Sequence, residues 1–198
     1  MIEIHEPGPR TTVQDLGRHG QLRYGIPPSG PVDGFAFVIA NRLVGNADDA
    51  AALEATLKGP GFNVGAPCAI AVTGADMPVS VNGQEAPRWS TLLLDRGDVV
   101  RIGTARAGLY GYVAFSGGLD VALRLGSRAT YLRGRLGGFE GRALRKGDRL
   151  ACLPRSLPQA RALAAEAIPR YPGEVCARAV LGRQDDRFTS AGIATFFA

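Results

Sequence analysis

Residues 11–46 read TTVQDLGRHGQLRYGIPPSGPVDGFAFVIANRLVGN and join a polar loop to an apolar helix. Bulky apolar residues are sparse in the loop before Phe35, so it has no core of its own. Hydrogen bonds and special backbone angles must therefore hold it in place. Such a loop either carries function or is a surface connection shaped by Gly and Pro. The residues leave both interpretations open.

The second half of this stretch predicts a helix between Asp33 and Val44. Asp33 is a favourable N-cap residue, so we assign it to helix capping. Apolar side chains recur behind it at three- and four-residue spacing, at Phe35, Val38, Ile39 and Leu43. Gly45-Asn46 then favours a left-handed C-terminal cap. We expect this helix to cover one end of a β structure.

From about residue 50 the hydrophobic period becomes that of strands. Short apolar runs alternate with Gly-rich turns, at residues 68–73, 77–81, 85–88, 91–94, 99–102 and 109–115. Asn82-Gly83 is a strong hairpin signal, because both residues tolerate positive φ. The sequence therefore predicts a mainly β fold through about residue 153, with one helix.

The pattern changes again after residue 153. Four prolines punctuate an Arg- and Ala-rich segment, which predicts a linker over 154–173 with one helical turn at 160–167. Residues 174–181 then predict a strand, and residues 187–197 the start of a helix. We therefore divide the chain into a β domain at 1–153, the linker, and the beginning of a second domain at 174–198.

Composition excludes several classes of protein. A hydrophobic content of 45% and a mean hydropathy of +0.01 are those of a globular protein with a core. No segment approaches the ~20 apolar residues of a membrane span, and the N-terminus lacks a secretory signal, so we expect no membrane association and a cytoplasmic location. The net charge is +5, with arginines clustered at 124–149. No nucleic-acid-binding motif accompanies them, so an anionic substrate or partner explains the charge better.

The motifs of common catalytic machinery are missing. Three unevenly spaced cysteines and two histidines predict no metal site. The chain has no GxxxxGK[ST] loop, hence no nucleotide site of that type, and no GxSxG nucleophile motif. What remains is a set of carboxylates, backbone N–H groups and arginines in Gly-rich corners.

Three of these corners are candidates for a site. Asp76 follows a buried run at a glycine turn, where it acts either as a general base or as an acceptor in an Asx-turn. Ser116-Gly117-Gly118 forms either an oxyanion-binding nest or a plain turn. Glu140 and Arg142 flank glycines and either contact a ligand or form a local salt bridge.

Seven sequence blocks in a fixed order resemble the carboxyltransferase-type family. This family includes allophanate hydrolase subunit 2, the C subunit of ATP-dependent 5-oxoprolinase and the carboxyltransferase region of urea carboxylase. The blocks are TTVQD-GR with GIPPSGPVD and ANRLVGN at 11–46, LEATLKGP at 53–60, AVTGADM at 71–77, YVAFSGGLDV at 112–121, LGSRATYL at 125–132, GGFEGRAL at 137–144 and KGDRL at 146–150.

This resemblance covers residues 10–150 and implies a cyclophilin-like β-barrel, followed by the start of a second barrel-like part. Relatives of this kind continue further, so we expect a truncated or split chain. The resemblance also implies amide chemistry in a heteromeric enzyme. The chain would be either the C subunit that takes part in ATP-dependent conversion of 5-oxoproline to glutamate, or a biotin-dependent carboxyltransferase or allophanate hydrolase subunit 2. Urea carboxylase relatives transfer a carboxyl group from carboxybiotin to a urea nitrogen.

Cofactors and partners follow from the same resemblance. ATP would act at the level of the complex, and carboxybiotin in the carboxyl-transfer alternative. The expected partners are a subunit-B-like protein, similar to allophanate hydrolase subunit 1, and a small amide or lactam substrate, with no nucleic acid and no metal. Some relatives bind a kinase-inhibitor-type protein, so a regulatory protein that sequesters such a partner without catalysis remains the alternative.

We expect the loop at 11–33 and the three corners to converge on one cleft. Asp15 or Asp76 would be the catalytic proton acceptor. The predicted substrate-binding residues are Gln14, Arg18 and Ser29 in the loop, Gly117 and Gly118 as oxygen-stabilising amides, and Glu140 and Arg142. Some relatives carry an Asp at the position of Tyr131, so a role of that acid does not transfer to this chain.

Overall fold

The computed structural model describes residues 1–197, so Ala198 in the predicted second domain lies outside the described residues. Short strands dominate the first 150 residues. They are β1 (Ile2–Glu6), β2 (Arg10–Gln14), β3 (Ala52–Thr56), β4 (Gly61–Val64), β5 (Cys68–Gly74), β6 (Val79–Val81), β7 (Gln84–Ala86), β8 (Thr91–Leu94), β9 (Val99–Ile102), β10 (Tyr110–Phe115) and β11 (Arg149–Leu150). The helices are α1 (Gly34–Leu43) and α2 (Ser190–Phe197).

The strands form two antiparallel sheets that share a core. One sheet has the order β11-β1-β4-β9-β6-β7, and the other β2-β3-β10-β5-β8. Alternate apolar residues of both sheets pack in the shared core, among them Ile4, Leu53, Phe62, Ile70 and Phe115. The predicted mainly β fold is confirmed. It consists of two facing sheets, and no closed barrel forms within the described residues.

Helix α1 covers the outer face of the five-stranded sheet and is the single α-helix expected before residue 150. Asp33 caps it as predicted, since its Oδ1 accepts a hydrogen bond from Ala36 N at 2.9 Å. At the other end Gly45 N donates to Arg42 O, and Asn46 N donates to Asn41 O. This pair of bonds is a Schellman motif, so the predicted glycine cap is confirmed.

The predicted hairpin at Asn82-Gly83 is confirmed, with shorter strands than expected. Val81 pairs with Gln84, and the two turn residues have φ values of 54° and 82°. The predicted strands at 91–94 and 99–102 are observed with these bounds. They lie in different sheets, so the turn between them carries the chain across the core.

Replacing Gly45 by Ala should lower the free energy of unfolding by about 1 kcal/mol. Gly45 has φ of 74°, which an L-residue adopts only with strain, although a Cβ would meet only Pro158 at 3.5 Å. Urea denaturation measures the effect. The matched control is Gly34→Ala in the first turn of α1, where φ is not positive and nothing lies within 4 Å. We expect that control to be neutral or stabilising, and equal effects of the two changes would contradict the cap.

The C-terminal segment differs from its prediction. Residues 174–181 form no strand and are exposed, so that prediction was wrong. Their alternating pattern meets no strand with which to pair, and an isolated strand is not stable in water. The predicted helix at 187–197 is observed in part, since α2 begins at Ser190 and a separate 3₁₀ turn covers Asp185–Arg187. Another 3₁₀ turn lies at Ala165–Ala167. The division into two domains stays a prediction.

Candidate functional site

The outer face of the five-stranded sheet is shared between α1 and an open cleft. α1 packs against β5 and β10, whereas β2 and β3 carry polar side chains on that face. Strand pairing places Thr12 beside Glu54, and Glu54 beside Tyr112. Ser29 and Gly30, on the way into α1, and the hairpin 131–136 border this polar row. The resulting cleft has a volume of about 340 Å³.

Glu54 is the carboxylate of this cleft. Its side-chain Oε2 accepts hydrogen bonds from Val32 N and Tyr112 Oη, both at 2.9 Å. Within residues 1–197 its Oε1 accepts no hydrogen bond, and it is not sealed from solvent. Burial raises the pKa of Glu54, against the opposing effects of the two hydrogen bonds and of Arg10. An accessible oxygen with a raised pKa suits a general base.

Gln14 fixes the position of the loop that borders the cleft. Its Oε1 accepts a hydrogen bond from Gly30 N at 3.1 Å, and its Nε2 donates to Thr12 Oγ1 at 3.0 Å. Ser29 has φ of 59°, which a non-glycine residue seldom adopts. The amide of Gln14 is thus occupied by the protein itself. Gln14 therefore shapes the cleft, and Ser29 lies at its rim.

Two arginines give the cleft a positive border. Arg10 and Arg133 both line it and are exposed. Arg10 donates to Thr56 Oγ1 at 3.2 Å and to Tyr110 Oη at 3.4 Å, neither of which is charged. Arg133 forms no ion pair or side-chain hydrogen bond among the described residues. This pair of guanidinium groups suits a ligand that carries a carboxylate.

Asp15 and Arg18 are buried behind the cleft rather than in it. Asp15 accepts hydrogen bonds from Gly17 N at 2.9 Å, from Ser127 Oγ at 2.6 Å and from Arg128 N. Arg18 is 1% exposed and donates to the carbonyl groups of Arg124 and Ala129. Burial lowers the pKa of Arg18, opposed by the charge of Asp15. Both side chains join the N-terminal loop to residues 124–129.

Asp76 lies at the other end of the sheet from Asp15. Asp15 lies just after Gln14, the last residue of β2, and Asp76 lies just beyond Gly74, the last residue of β5. The pairing of β2 with β3, β3 with β10 and β10 with β5 places Gln14 level with Ala71, three residues before Gly74. Strand spacings of ~3.3 Å along the chain and ~4.8 Å between strands separate Gln14 from Gly74 by roughly 17 Å. Asp76 pairs instead with Arg88 at 2.7 Å. The two predicted proton acceptors therefore cannot share one small ligand.

Glu140 and Arg142 form a local salt bridge, which the sequence analysis gave as the alternative to a ligand contact. Arg142 Nη2 lies 2.7 Å from Glu140 Oε2, and Arg142 also pairs with Asp148. These hydrogen bonds raise the pKa of Arg142, and Arg142 helps to hold the pKa of Asp148 below its usual range. Glu140 lines a second depression of about 420 Å³, which is bordered by residues 135–141 and shares no lining residue with the cleft.

The amides of Gly117 and Gly118 are occupied by the protein. Gly117 N donates to Asn46 Oδ1, and Gly118 N donates to Phe115 O, both at 2.8 Å. A Cβ on Gly117 would lie 2.0 Å from Leu153 O, so the glycine is needed for close packing. The structure therefore favours the plain turn over an oxyanion-binding nest at this corner.

The structure brings only part of the predicted set together. Gln14 and Ser29 line the cleft, whereas the other predicted residues lie at four separate places. Sequence reasoning did not select Glu54, Arg10, Arg133 or Tyr112 for the site. One signal was available, because Glu54 is a charged residue inside the apolar run Ala51–Ala55. A carboxylate in a buried strand requires hydrogen-bond partners.

Neither a metal cluster nor a membrane-spanning helix occurs in the described part of the chain. Residues 1–197 contain no group of three His, Cys, Asp or Glu side chains that could hold a metal ion. Over the same residues, neither helix has the length and apolar character required to cross a bilayer.

Comparison with known proteins gives consistent similarities. A family model described as carboxyltransferase domain, subdomain A and B, matches residues 24–198. The chain is 40% identical over 170 residues to urea amidolyase of Saccharomyces cerevisiae, covering 80% of this chain and 9% of that protein. It is 35% identical over 150 residues to the C subunit of 5-oxoprolinase of Haemophilus influenzae, covering 76% of this chain and 48% of that protein.

Solved structures show the same similarity. The crystal structure of urea amidolyase from Kluyveromyces lactis matches 86% of this chain and 11% of its own, with a TM-score of 0.81 and 37% identity. The chain thus spans about half the length of the 5-oxoprolinase relative and about a tenth of the urea amidolyases.

Proposed function

Because this chain belongs to the carboxyltransferase domain A and B family, we propose that it is part of a multi-subunit enzyme that acts on amide C–N bonds. The reaction we favour is the ATP-dependent opening of 5-oxoproline to glutamate. The relatives named as the C subunit of 5-oxoprolinase support this choice. The observation that carries it is the cleft, which is lined by one buried carboxylate and two exposed arginines.

The cleft residues divide the chemistry between them. Glu54 Oε1 would accept the proton of the amide nitrogen, which requires a base with an oxygen accessible to the ligand. Arg10 and Arg133 would bind the carboxylate that a lactam such as 5-oxoproline carries beside its ring amide. Gln14 would hold Gly30, and with it the adjacent Ser29, at the rim of the bound ring.

The other predicted residues have supporting roles in this proposal. Asp15 and Arg18 would keep the N-terminal loop attached to residues 124–129. Gly117 and Gly118 would maintain the turn after β10, and Glu140 and Arg142 the loop beyond the hairpin 131–136. Asp76 lies too far from Asp15 to complete the same site, so we assign the proton transfer to Glu54.

The chain has no GxxxxGK[ST] loop with which to bind ATP in the manner of a P-loop. We propose that a partner, such as a subunit-B-like protein, binds ATP. Exposed apolar side chains in the loop that leads to Ser29 support a partner, since Leu22 is 68% exposed and Tyr24 63%. The relatives named as one subunit of 5-oxoprolinase support partner subunits in general.

A carboxyl transfer from carboxybiotin to urea is the second candidate. The identity of 40% to a urea amidolyase favours it. The same base would then accept a proton from a urea nitrogen. Urea has no carboxylate, so this reaction does not use the two arginines for the acceptor.

Ligand binding to the full chain tests the two candidates. Titration with 5-oxoproline, followed by NMR, should shift the signals of Ser29, Glu54 and Arg133. The analogue 2-pyrrolidinone, which lacks the carboxylate, should bind at least about tenfold more weakly, because it cannot pair with the arginines. Arg133→Ala should reduce this difference, because only Arg10 then remains to pair with the carboxylate, whereas the exposed control Arg106→Ala should leave it unchanged.

Assays with co-expressed candidate subunits then measure ATP-dependent release of glutamate from 5-oxoproline. Glutamate release that requires this chain supports the first candidate. ATP-dependent carboxylation of urea, without glutamate release, would replace it by the second. Neither activity, together with equal binding of 5-oxoproline and 2-pyrrolidinone, would contradict the proposed function.

A further inference from the structure

The segment 161–171, called here the strap, returns to the five-stranded sheet after leaving it. Arg161 O accepts a hydrogen bond from Thr91 N at 2.8 Å, and Leu163 N donates to Trp89 O at 2.9 Å. Leu163 and Ile168 pack against the apolar residues beneath α1. The strap therefore covers the edge strand β8 and is held by both backbone bonds and apolar contacts.

The end of the strap reaches the start of α1. Tyr171 is half-buried against Gly108, and its Oη donates to Asp33 Oδ2 at 2.8 Å. The other oxygen of this carboxylate caps α1 through Ala36 N. Burial and the bond to Asp33 raise the pKa of Tyr171, so its hydroxyl keeps its proton and remains a donor.

Hydrogen bonds continue from Asp33 to the cleft. Asp33 N donates to Tyr112 Oη at 2.8 Å, and Tyr112 Oη donates to Glu54 Oε2 at 2.9 Å. The adjacent Val32 N donates to the same oxygen at 2.9 Å. Both donors to Glu54 thus depend on the backbone at 32–33. Burial raises the pKa of Tyr112, which keeps its hydroxyl protonated.

We propose that Tyr171 and Tyr112 are positioning residues for Glu54, and that docking of the strap sets the hydrogen bonds of the cleft carboxylate. Tyr171 holds Asp33, Asp33 holds the backbone at 32–33, and that backbone and Tyr112 hold Oε2 of Glu54. Oε1 is thereby directed towards the ligand. The value of this coupling for catalysis rests on the proposed function, but the coupling itself does not.

The charged and titratable groups around this network come from every neighbouring element. The charge of Arg10 on β2 partly opposes the rise that burial causes in the pKa of Glu54, and Arg133 on the hairpin 131–136 lines the same cleft. Tyr112 lies on β10 and Asp33 at the start of α1. Arg88, after β7, acts on Tyr171 through its charge. The substitution Tyr171→Phe leaves all of these side chains in the protein and removes only the hydrogen bond to Asp33.

The test follows the titration of the Glu54 carboxyl carbon by ¹³C NMR in the full chain. Tyr112→Phe removes a donor to the carboxylate, so its proton-dissociation constant should fall roughly three- to tenfold. Tyr171→Phe should also lower the proton-dissociation constant of Glu54, by roughly two- to threefold, because the hydrogen-bond donors at 32–33 are held less firmly. The matched control is Tyr24→Phe, which is exposed and outside the network.

The double variant distinguishes a shared route from two separate effects. If Tyr171 acts through the backbone at 32–33 and Tyr112, the combined change should be smaller than the product of the two single changes. An unchanged Glu54 titration in Tyr171→Phe, with the Leu163 amide still protected from hydrogen exchange, would overturn the proposal. If the Leu163 amide loses its protection and the Glu54 titration also changes, the strap undocks as a unit. That result supports the proposal.

This readout needs neither substrate nor partner, so it separates the coupling from the proposed function. If no partner restores activity but the Tyr171→Phe titration changes, the coupling stands and the proposed function fails. If activity is found but the Glu54 titration is unchanged in Tyr171→Phe, the proposed function stands and the coupling fails. In an active complex, Tyr171→Phe should lower kcat roughly two- to tenfold and leave KM unchanged, since Tyr171 does not touch the ligand.

Discussion

Replacing Glu54 by Gln should lower kcat/KM for the proposed reaction of the assembled enzyme roughly 100- to 1000-fold. The amide retains the size of the carboxylate and can accept the hydrogen bonds of Val32 N and Tyr112 Oη. It cannot accept a proton from the substrate nitrogen, and general-base contributions have this order of magnitude. Steady-state kinetics with 5-oxoproline and the partner subunits measures the effect. The control Glu85→Gln changes an exposed carboxylate on β7 and should leave the rate unchanged.

The pH profile gives an independent check of the same residue. A base works only when deprotonated, and burial raises the pKa of Glu54 above its ordinary value. The wild-type kcat/KM should therefore rise as the pH increases through this raised pKa, in a range above that of an ordinary Glu. Glu54→Gln should lose this rise. A retained acidic limb in the variant, or a fall in rate below tenfold, would contradict the assignment.

Replacing Asp15 by Ala should lower the free energy of unfolding by about 3–5 kcal/mol. Asp15 accepts hydrogen bonds from Gly17 N, Ser127 Oγ and Arg128 N, and all three donors would lose their partner. The adjacent Arg18, at 1% exposure, would also lose the nearby negative charge. Urea denaturation at neutral pH measures the loss.

Asp76→Ala is the matched control, because sequence reasoning placed both acids in the same role. Asp76 pairs with Arg88 and its side chain is 39% exposed, so solvent screens the pair. We expect a loss below about 1 kcal/mol. Equal losses at the two positions would show that Asp15 does not hold the loop. An active, stable Asp15→Ala variant would show the same.

The strand and helix pattern could be predicted from sequence where local signals were strong. Asp33 at the N-cap and Gly45-Asn46 at the end fixed the bounds of α1, because caps act through the backbone of adjacent residues. The Asn82-Gly83 turn fixed the hairpin for the same reason. Residues 174–181 had a strand pattern but no partner strand, so the pattern alone did not suffice.

The site could be predicted only in part. Gln14 and Ser29 were selected from their loop and do line the cleft. Asp15 and Asp76 looked alike in sequence, as acids beside glycine-rich turns. The sheet then placed one among buried donors and the other in an ion pair with the half-buried Arg88. Hydrogen-bond partners more than a hundred residues away along the chain, such as Ser127 for Asp15, leave no local signal.

The sequence by itself determined the mainly β class, the bounds of α1, the tight turns and the family, because each depends on neighbouring residues or on ordered motifs. The tertiary structure decided which polar groups meet. Strand pairing brought Glu54 beside Tyr112, and the return of the strap brought Tyr171 to Asp33. Burial and hydrogen bonding across such long separations set the pKa and orientation of a side chain, so the chemistry of the cleft followed from the fold.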